Sequence, residues 1–265
     1  MPRPTDFFEP SKIEPNVWYA SHYGPLSFWI RLMHDEWHFA SVLKLEEDAQ
    51  QCVKLEINSR PPAGINIGRK LTSSSNTTVR FRPAMPRLPL IVRPQDNIEI
   101  AAGTTTTFFV TVPTRLQVYV GKEQALLLDE TTFELSRTWH GTLQEGTMGL
   151  MLNTRARRNY DGISKRPHRC IVPVEIVNGE KKSVSFERVC IEVDHLAIYR
   201  SSSHLWSDPL TILLKENGTE VTYAKRALTH ERIEEKLARA RKARENSILK
   251  WGIGRLRIMK GHASE

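Results

Sequence analysis

Short apolar runs separated by turn residues are the feature that most limits how this chain can fold. Over residues 17–214, Val, Ile, Thr and aromatic residues form runs of strand length, and Gly, Pro, Asn and Asp separate them. Runs of this length and spacing are typical of antiparallel β-sandwiches. The sequence therefore predicts a mainly β protein, built as one large sandwich or as two packed domains of sheets.

Three pairs of runs predict β-hairpins. Their turns lie at residues 34–36, at Asn178-Gly179 and at Asn217-Gly218, and an Asn-Gly pair readily adopts the positive φ angles of a two-residue turn. Residues 43–57 are ambiguous, and we favour two strands around an acidic turn over a short helix. Pro113 lacks the amide hydrogen that a central strand needs, which predicts an edge or a bend at this position.

Two changes in composition divide the chain into three parts. Residues 58–76 are rich in Pro, Gly, Ser and Asn without periodicity, so we interpret them as a loop and as a boundary. From Thr229 the apolar period becomes helical. We therefore predict an N-terminal β-hairpin region with its loop at residues 1–76, a β-sandwich domain at residues 77–224 and a basic helical tail at residues 225–265.

The positive charge of the chain is concentrated in this tail. Residues 225–265 hold 12 Arg and Lys against 5 Glu, so they carry +7 of the total formal charge of +8. Early Glu and later Arg and Lys suit a helix dipole, which predicts a basic amphipathic α-helix. Such a helix suits anionic lipid or an acidic protein face, and packing on its own domain is the alternative. The candidate partner-binding or membrane-binding residues are Arg239, Arg241, Lys242, Arg244, Trp251, Arg255 and Arg257.

Composition argues against several other classes of protein. Cys52, Cys170 and Cys190 lack CxxC spacing, so we expect free thiols in a reducing compartment instead of a disulfide framework or a zinc site. The chain has no signal-peptide pattern and no run of about 18 apolar residues, so we expect a cytosolic protein without a transmembrane segment. Scattered His and Gly residues indicate neither a metal site nor a phosphate-binding loop, and we expect no cofactor.

Seven segments, in one order along the chain, carry a resemblance to a known family. They are EWHFA (36–40), RPAMPRLPLIVRP (82–94), TTFFVTVPTRLQVYVG (106–121), LSRTWHG (135–141), GTMGLMLNTRAR (146–157), RPHRCIVPVEIVN (166–178) and HLWSDPLTIL (204–213). The sequence resembles the bacterial branch of the domain of unknown function family number 432. The resemblance implies a soluble, β-rich protein with no assigned activity, whose genes often lie beside those of small-conductance mechanosensitive channels.

Arginine residues in these segments offer a candidate anion site. A guanidinium cluster held at strand ends by the rigid Pro167 suits phosphate or carboxylate recognition, because each Arg can donate two parallel hydrogen bonds. The alternative is structural, with the Arg residues tying a crossing loop to backbone carbonyls and to Glu134, Glu145 and Asp161. The candidate ligand-binding residues are Arg137, Trp139, Arg155, Arg157, His168 and Arg169.

Three functional hypotheses follow from these observations. We expect a non-enzymatic interaction or regulatory module in the cytoplasm, peripheral to the inner membrane, with a protein partner such as a mechanosensitive channel. The first alternative is an enzyme, or a protein that binds a small anion or a carbohydrate, with an Arg and His pocket. The second alternative is nucleic-acid binding through the tail, which the nearly neutral body disfavours. The enzyme pocket would lie near Trp139, His140, Arg155, His168 and Arg169.

Overall fold

The computed structural model describes residues 7–44, 52–72, 76–96, 98–141, 146–186, 188–215, 218–224 and 231–242. These residues form β-strands and short 3-10 turns, one of them at Val193–His195. In chain order the strands are β1 (Ser11–Lys12), β2 (Tyr19–Tyr23), β3 (Leu26–Leu32), β4 (Glu36–Leu43), β5 (Cys52–Ile57), β6 (Gly68–Leu71), β7 (Thr78–Ala84), β8 (Leu90–Pro94), β9 (Ile98–Ile100), β10 (Thr105–Pro113) and β11 (Arg115–Val120). They continue with β12 (Ala125–Thr131), β13 (Arg137–Gly141), β14 (Gly146–Thr154), β15 (Arg169–Asn178), β16 (Val184–Phe186), β17 (Val189–Ile191), β18 (Ile198–Ser201), β19 (Leu205–Ser207), β20 (Leu210–Lys215), β21 (Gly218–Tyr223) and β22 (Ile233–Ala238).

The N-terminal strands form a five-stranded sheet in the order β5-β2-β3-β4-β6. The predicted β3–β4 hairpin is confirmed, with Leu32 opposite Trp37. Strand β5 pairs with β2 and not with β4, so the two strands predicted within residues 43–57 do not pair with each other. The interpretation of residues 58–76 as a loop is wrong at β6, which pairs with β4. A glycine at position 68 lets the ring of Phe39 lie against the backbone there.

The remaining strands form four further sheets. One has the order β1-β7-β11-β12, another β13-β14-β8-β17, and β16 pairs with β9. The largest has the order β21-β20-β15-β19-β18-β22, with β10 on the other side of β15, so Pro113 ends an edge strand as predicted. Strand β15 pairs in parallel with β19 and β20, and β8 pairs in parallel with β14. The predicted antiparallel arrangement therefore holds for most strand pairs but not for these.

The two Asn-Gly signals have different outcomes. Strands β20 and β21 pair as the predicted hairpin, with Lys215 opposite Gly218, while Asn217 lies outside the described residues. The hairpin predicted at Asn178-Gly179 is wrong, because β15 does not pair with β16. The buried Asn178 side chain donates hydrogen bonds to three backbone carbonyls, which directs the chain into another sheet. These carbonyls belong to Ile100, Ala101 and Lys182.

The sheets share one main apolar core. It includes side chains from both sides of the boundary predicted at residue 76, for example Phe7 and Phe81, whose rings stack with centroids 4.9 Å apart. A smaller cluster around Trp18 and Trp29 covers other residues of the N-terminal sheet. The three-part division of the chain stays a prediction. The cysteines are free thiols, buried at positions 170 and 190 and half-buried at position 52.

The predicted C-terminal α-helix is wrong over residues 233–238, where β22 pairs antiparallel with β18. Glu, Lys, Leu and Ala favour helices, but here they lie along an open sheet edge whose backbone groups need partners. Arg200 of β18 forms ion pairs with Glu234 and Glu235, at 3.5 Å and 3.3 Å, which favours the strand in this place. Among the described residues, no helix is long and apolar enough to cross a membrane. The candidate tail residues Arg244, Trp251, Arg255 and Arg257 lie outside the described part of the chain.

Candidate functional site: a cationic groove between two sheets

A groove of about 590 Å³ lies between two of the sheets. Strands β7 and β11 form one wall and β18 and β22 form the other. Val193, in the 3-10 turn at Val193–His195, and Leu196, directly after it, complete the lining. Its volume is within the range of small-molecule sites, which is roughly 300–1,000 Å³. We call it the cationic groove, because four of its lining side chains are basic. These are Arg82, Lys236, Arg239 and Arg241.

Aromatic rings hold two of these cations in place. The Arg82 guanidinium carbon lies 5.2 Å from the ring centroid of Tyr119, and an Arg82 nitrogen donates a hydrogen bond of 2.9 Å to the side chain of Gln124. On the opposite wall, the Lys236 nitrogen lies 5.2 Å from the ring centroid of Tyr199. Such contacts are worth about 0.5–1 kcal/mol at exposed sites. They keep a positive charge on each wall of the groove.

Arg241 links the two walls. Its guanidinium donates a hydrogen bond of 2.6 Å to the Met85 carbonyl and another to the Pro86 carbonyl, just after β7. Burial lowers the pKa of Arg241. The next residue, Lys242, forms an ion pair of 2.6 Å with Asp194 at the 3-10 turn. Two candidate partner-binding residues thus contact their own chain, and a third, Arg239, lines the cationic groove.

The lining of the cationic groove is suited to binding an organic anion. Its side chains include no carboxylate, thiol or imidazole, so the lining itself offers no general base in the usual pKa range. Its apolar part suits a ligand or partner group that carries a hydrophobic body beside its negative charge. The apolar side chains are Ala84, Met85, Val193, Leu196, Ile198, Leu237 and Ala238.

The arginine residues predicted as an anion site occupy different places. Arg155 lines a separate cavity of about 600 Å³ that also contains Asp96 and Glu99, so charges of both signs meet there. The Arg157 guanidinium donates a hydrogen bond to the Gly162 carbonyl within the same loop. Arg155 and Arg157 therefore have different surroundings, and these observations do not place them in one cluster.

The other predicted ligand-binding residues include exposed and packed side chains. Arg137 and Trp139 lie on β13 with exposed side chains, and Trp139 is 43% exposed. The Trp139 ring lies against Gly146, where a Cβ atom would come within 2.2 Å of it. The Arg169 guanidinium carbon lies 5.5 Å from the ring centroid of Phe133. None of these three lines the cationic groove.

His168 connects the loop between β14 and β15, residues 155–168, to the N-terminal sheet. We call this segment the arginine-rich loop. Its side chain is fully buried against Gly24, and neither ring nitrogen has a hydrogen-bond partner among the described residues. Burial, with smaller contributions from the charges of Arg169 and Arg166, lowers the pKa of His168 to about 3. The His168 carbonyl accepts hydrogen bonds from the backbone and the hydroxyl of Thr114, at 2.9 Å and 3.0 Å. These contacts attach the end of the loop to Thr114, between β10 and β11.

One group of residues has the composition of a metal site. In the part of the chain that the structure describes, Glu192, Asp194 and His195 place one potential ligand atom each within 4.8 Å of one another. Lys242 already neutralises Asp194 at 2.6 Å. Because a lysine already occupies one of the three potential ligands, we assign no metal to this group.

Sequence reasoning missed Arg82, Tyr119 and Lys236. The alternation in β7 and β11 places Arg82 and Tyr119 on the outward face of their sheet, and this signal was present in the sequence. The groove itself could not be predicted from the sequence. Lys236 is distant from these two residues along the chain and approaches them only when β22 pairs with β18.

Comparison with known proteins identifies a family for this chain. The model of a family described as protein of unknown function (DUF432) matches residues 12–258. Neither the search of curated proteins nor the search of solved structures finds a significant match.

Proposed function

Because the chain belongs to the DUF432 family, whose description assigns no activity, we propose its function from the cationic groove. The protein is a non-enzymatic interaction module that recognises an anionic group of its ligand or partner in this groove. The observation that carries this proposal is the composition of the lining. It includes four basic residues and seven apolar ones, and no carboxylate. An anion that enters meets no opposing charge from the lining.

The lining also favours recognition over catalysis. General acid–base chemistry near neutral pH usually requires a His, a carboxyl or a perturbed Lys positioned at the reacting atoms. Arg, Gln and Tyr side chains instead supply hydrogen-bond donors and a positive field, which orient a bound anion. Together with the apolar side chains of the lining, these polar groups would select an organic anion over a bare inorganic ion.

The proposed partner is a protein or membrane surface with acidic groups. The specific case implied by the family resemblance is a mechanosensitive channel, with this protein as a cytoplasmic accessory at the inner membrane. An affinity pull-down from native membranes, with the intact chain and with a chain that carries Lys236→Gln, tests this case. Recovery of the channel with the intact chain and its loss with the variant would support the accessory role. Equal recovery, or none with either chain, would argue against it.

Binding of a fluorescent organic anion tests the groove itself. Anilinonaphthalene sulfonate has one sulfonate and an aromatic body, and its emission rises when water is excluded from it. We expect saturable binding that weakens with salt and falls about tenfold with Arg82→Gln or Lys236→Gln, since a charge-assisted hydrogen bond contributes about 1.5–3 kcal/mol.

The matched control is Arg93→Gln, an exposed arginine on β8 that does not line the groove. It removes the same charge from the chain but should leave the affinity unchanged. If all three variants bind the probe as the wild type does, the groove is not the site. If all three weaken binding equally, the effect is one of net charge alone.

A further inference from the structure

A further and much smaller cavity lies at the turn between β18 and β19. We call it the His204 cavity; its volume is about 30 Å³. By volume it holds about two water-sized positions, so only the head of a ligand can enter. Its lining includes Arg166, Arg200, the serines at positions 201–203 and His204, and no carboxylate. The cavity is separate from the cationic groove, since the two share no lining residue.

Glu231 fixes the orientation of the His204 ring. Its carboxylate lies 2.8 Å from His204 Nδ1 and accepts hydrogen bonds from the Ser201 hydroxyl and from Trp206 Nε1, the latter at 3.2 Å. Burial opposes ionisation, but these hydrogen bonds outweigh it and lower the pKa of Glu231. The carboxylate therefore stays ionised and accepts a hydrogen bond from the proton on Nδ1. This bond fixes the orientation of the imidazole ring, as similar bonds do in many metal-bound and catalytic histidines.

The other ring nitrogen of His204 is buried without a visible partner. The His204 side chain is 8% exposed, and Nε2 has no hydrogen-bond partner among the described residues. An unsatisfied buried polar atom costs about 1–3 kcal/mol, so such atoms usually contact a ligand or an ordered water molecule. When both ring nitrogens carry a proton, Nε2 can donate to a ligand while Nδ1 donates to Glu231.

The lining of the cavity favours an anion as that ligand, because it includes two arginines and no carboxylate. Arg200 is 14% exposed and forms ion pairs with Glu9, Glu234 and Glu235 at 3.6 Å, 3.5 Å and 3.3 Å. All three are longer than a charge-assisted hydrogen bond of about 2.7–2.9 Å, so a bound oxyanion can compete with them. Arg166, on the other side of the cavity, supplies the second guanidinium.

We propose that the His204 cavity binds the oxyanion head of a small carboxylate or phosphate, held by His204 Nε2 and the guanidinium groups of Arg166 and Arg200. Two oxygens of the head occupy the cavity, and the body of the ligand remains outside. A free ion and the end of a larger molecule share this chemistry. The site adds a second anion-binding position to the protein, and it does not depend on the function proposed for the groove.

Nuclear magnetic resonance of the histidine rings tests the proposal. The full chain is titrated with inorganic phosphate, with acetate and with chloride, at constant pH and ionic strength. The His204 signal is assigned as the one that His204→Gln removes. We expect it to shift saturably with phosphate or acetate and not with chloride. Saturation by acetate but not phosphate would identify a carboxylate head, and the reverse a phosphate head.

Three variants distinguish an anion site from a buried nitrogen that contacts only water. Arg166→Gln should weaken the anion-dependent shift about tenfold, because it removes one charge-assisted donor. Arg158→Gln, in the same arginine-rich loop but outside the lining, should leave it unchanged. Lys236→Gln should also leave it unchanged, even if it abolishes binding in the groove. The proposal is overturned if no saturable shift occurs, or if Arg166→Gln and Arg158→Gln behave alike.

Discussion

Replacement of His168 with Gln should change how stability depends on pH. The imidazole of His168 is fully buried between Gly24 and the arginine-rich loop, and its pKa is lowered from 6.5 to about 3. A proton therefore binds the unfolded chain more readily than the folded one between these values. The neutral ring favours folding above pH 6.5, and this contribution is lost as the pH falls toward 3. Glutamine at this position cannot take up the proton.

The size of the effect follows from the width of this interval. Each pH unit of difference in pKa corresponds to about 1.4 kcal/mol of unfolding free energy. At pH 4.5, the ordinary pKa of glutamic acid, the pH is two units below the ordinary pKa of histidine, 6.5. The wild type should by then have lost about 3 kcal/mol that the variant does not lose. Domains of this kind are stable by about 5–15 kcal/mol, so the loss is large enough to measure.

Urea unfolding at a series of pH values, followed by tryptophan fluorescence, measures the difference. The fully buried Trp37 and Trp206 make the signal sensitive to unfolding. His168→Gln will also change stability by a constant amount through altered packing, so the quantity that matters is how the gap to wild type changes with pH. The exposed His34, replaced with Gln, is the matched control for the loss of an imidazole that is not buried. If the wild-type and His168→Gln curves stay parallel down to pH 4.5, the reasoning is refuted.

Two further predictions concern stability. Gly24→Ala should destabilise the fold by at least about 2 kcal/mol in urea unfolding, because φ is +57° and the new Cβ would lie 2.1 Å from His168 Nδ1. Gly103→Ala, with φ of +65° and no atom within 4 Å, should cost only about 1 kcal/mol, and equal losses would contradict the contact. Glu231→Gln should cost about 1–3 kcal/mol, since it weakens charge-assisted hydrogen bonds around His204. The exposed Glu234→Gln should cost much less, and the reverse order would contradict the role given to Glu231.

Alternation of apolar residues made much of the fold predictable. In β7, Val79 and Phe81 are buried while their neighbours are not, as a period of two requires. The β3–β4 hairpin followed from the same pattern and a polar turn. Local signals failed where a distant contact opposed them. Asn178 has strong turn chemistry, yet its side chain also donates hydrogen bonds to the distant carbonyls of Ile100 and Ala101.

The prediction of a C-terminal helix failed for a related reason. Residues 233–238 contain good helix formers, and intrinsic propensity differs by less than about 1 kcal/mol per residue among them, so a vacant sheet edge can override it. This same strand brings Lys236 and Arg239 to the cationic groove, opposite Arg82. The sequence indicated basic residues in the tail but could not indicate their position. Their role in the groove depends on the pairing of β22 with β18.

The most direct test of anion recognition by the groove is a crystal structure of the protein soaked with anilinonaphthalene sulfonate. We expect the sulfonate to lie about 3 Å from the side-chain nitrogens of Arg82 or Lys236, with the aromatic body on Met85 and Leu196. A sulfonate bound elsewhere, with the cationic groove left unchanged, would contradict the central claim that this groove recognises organic anions.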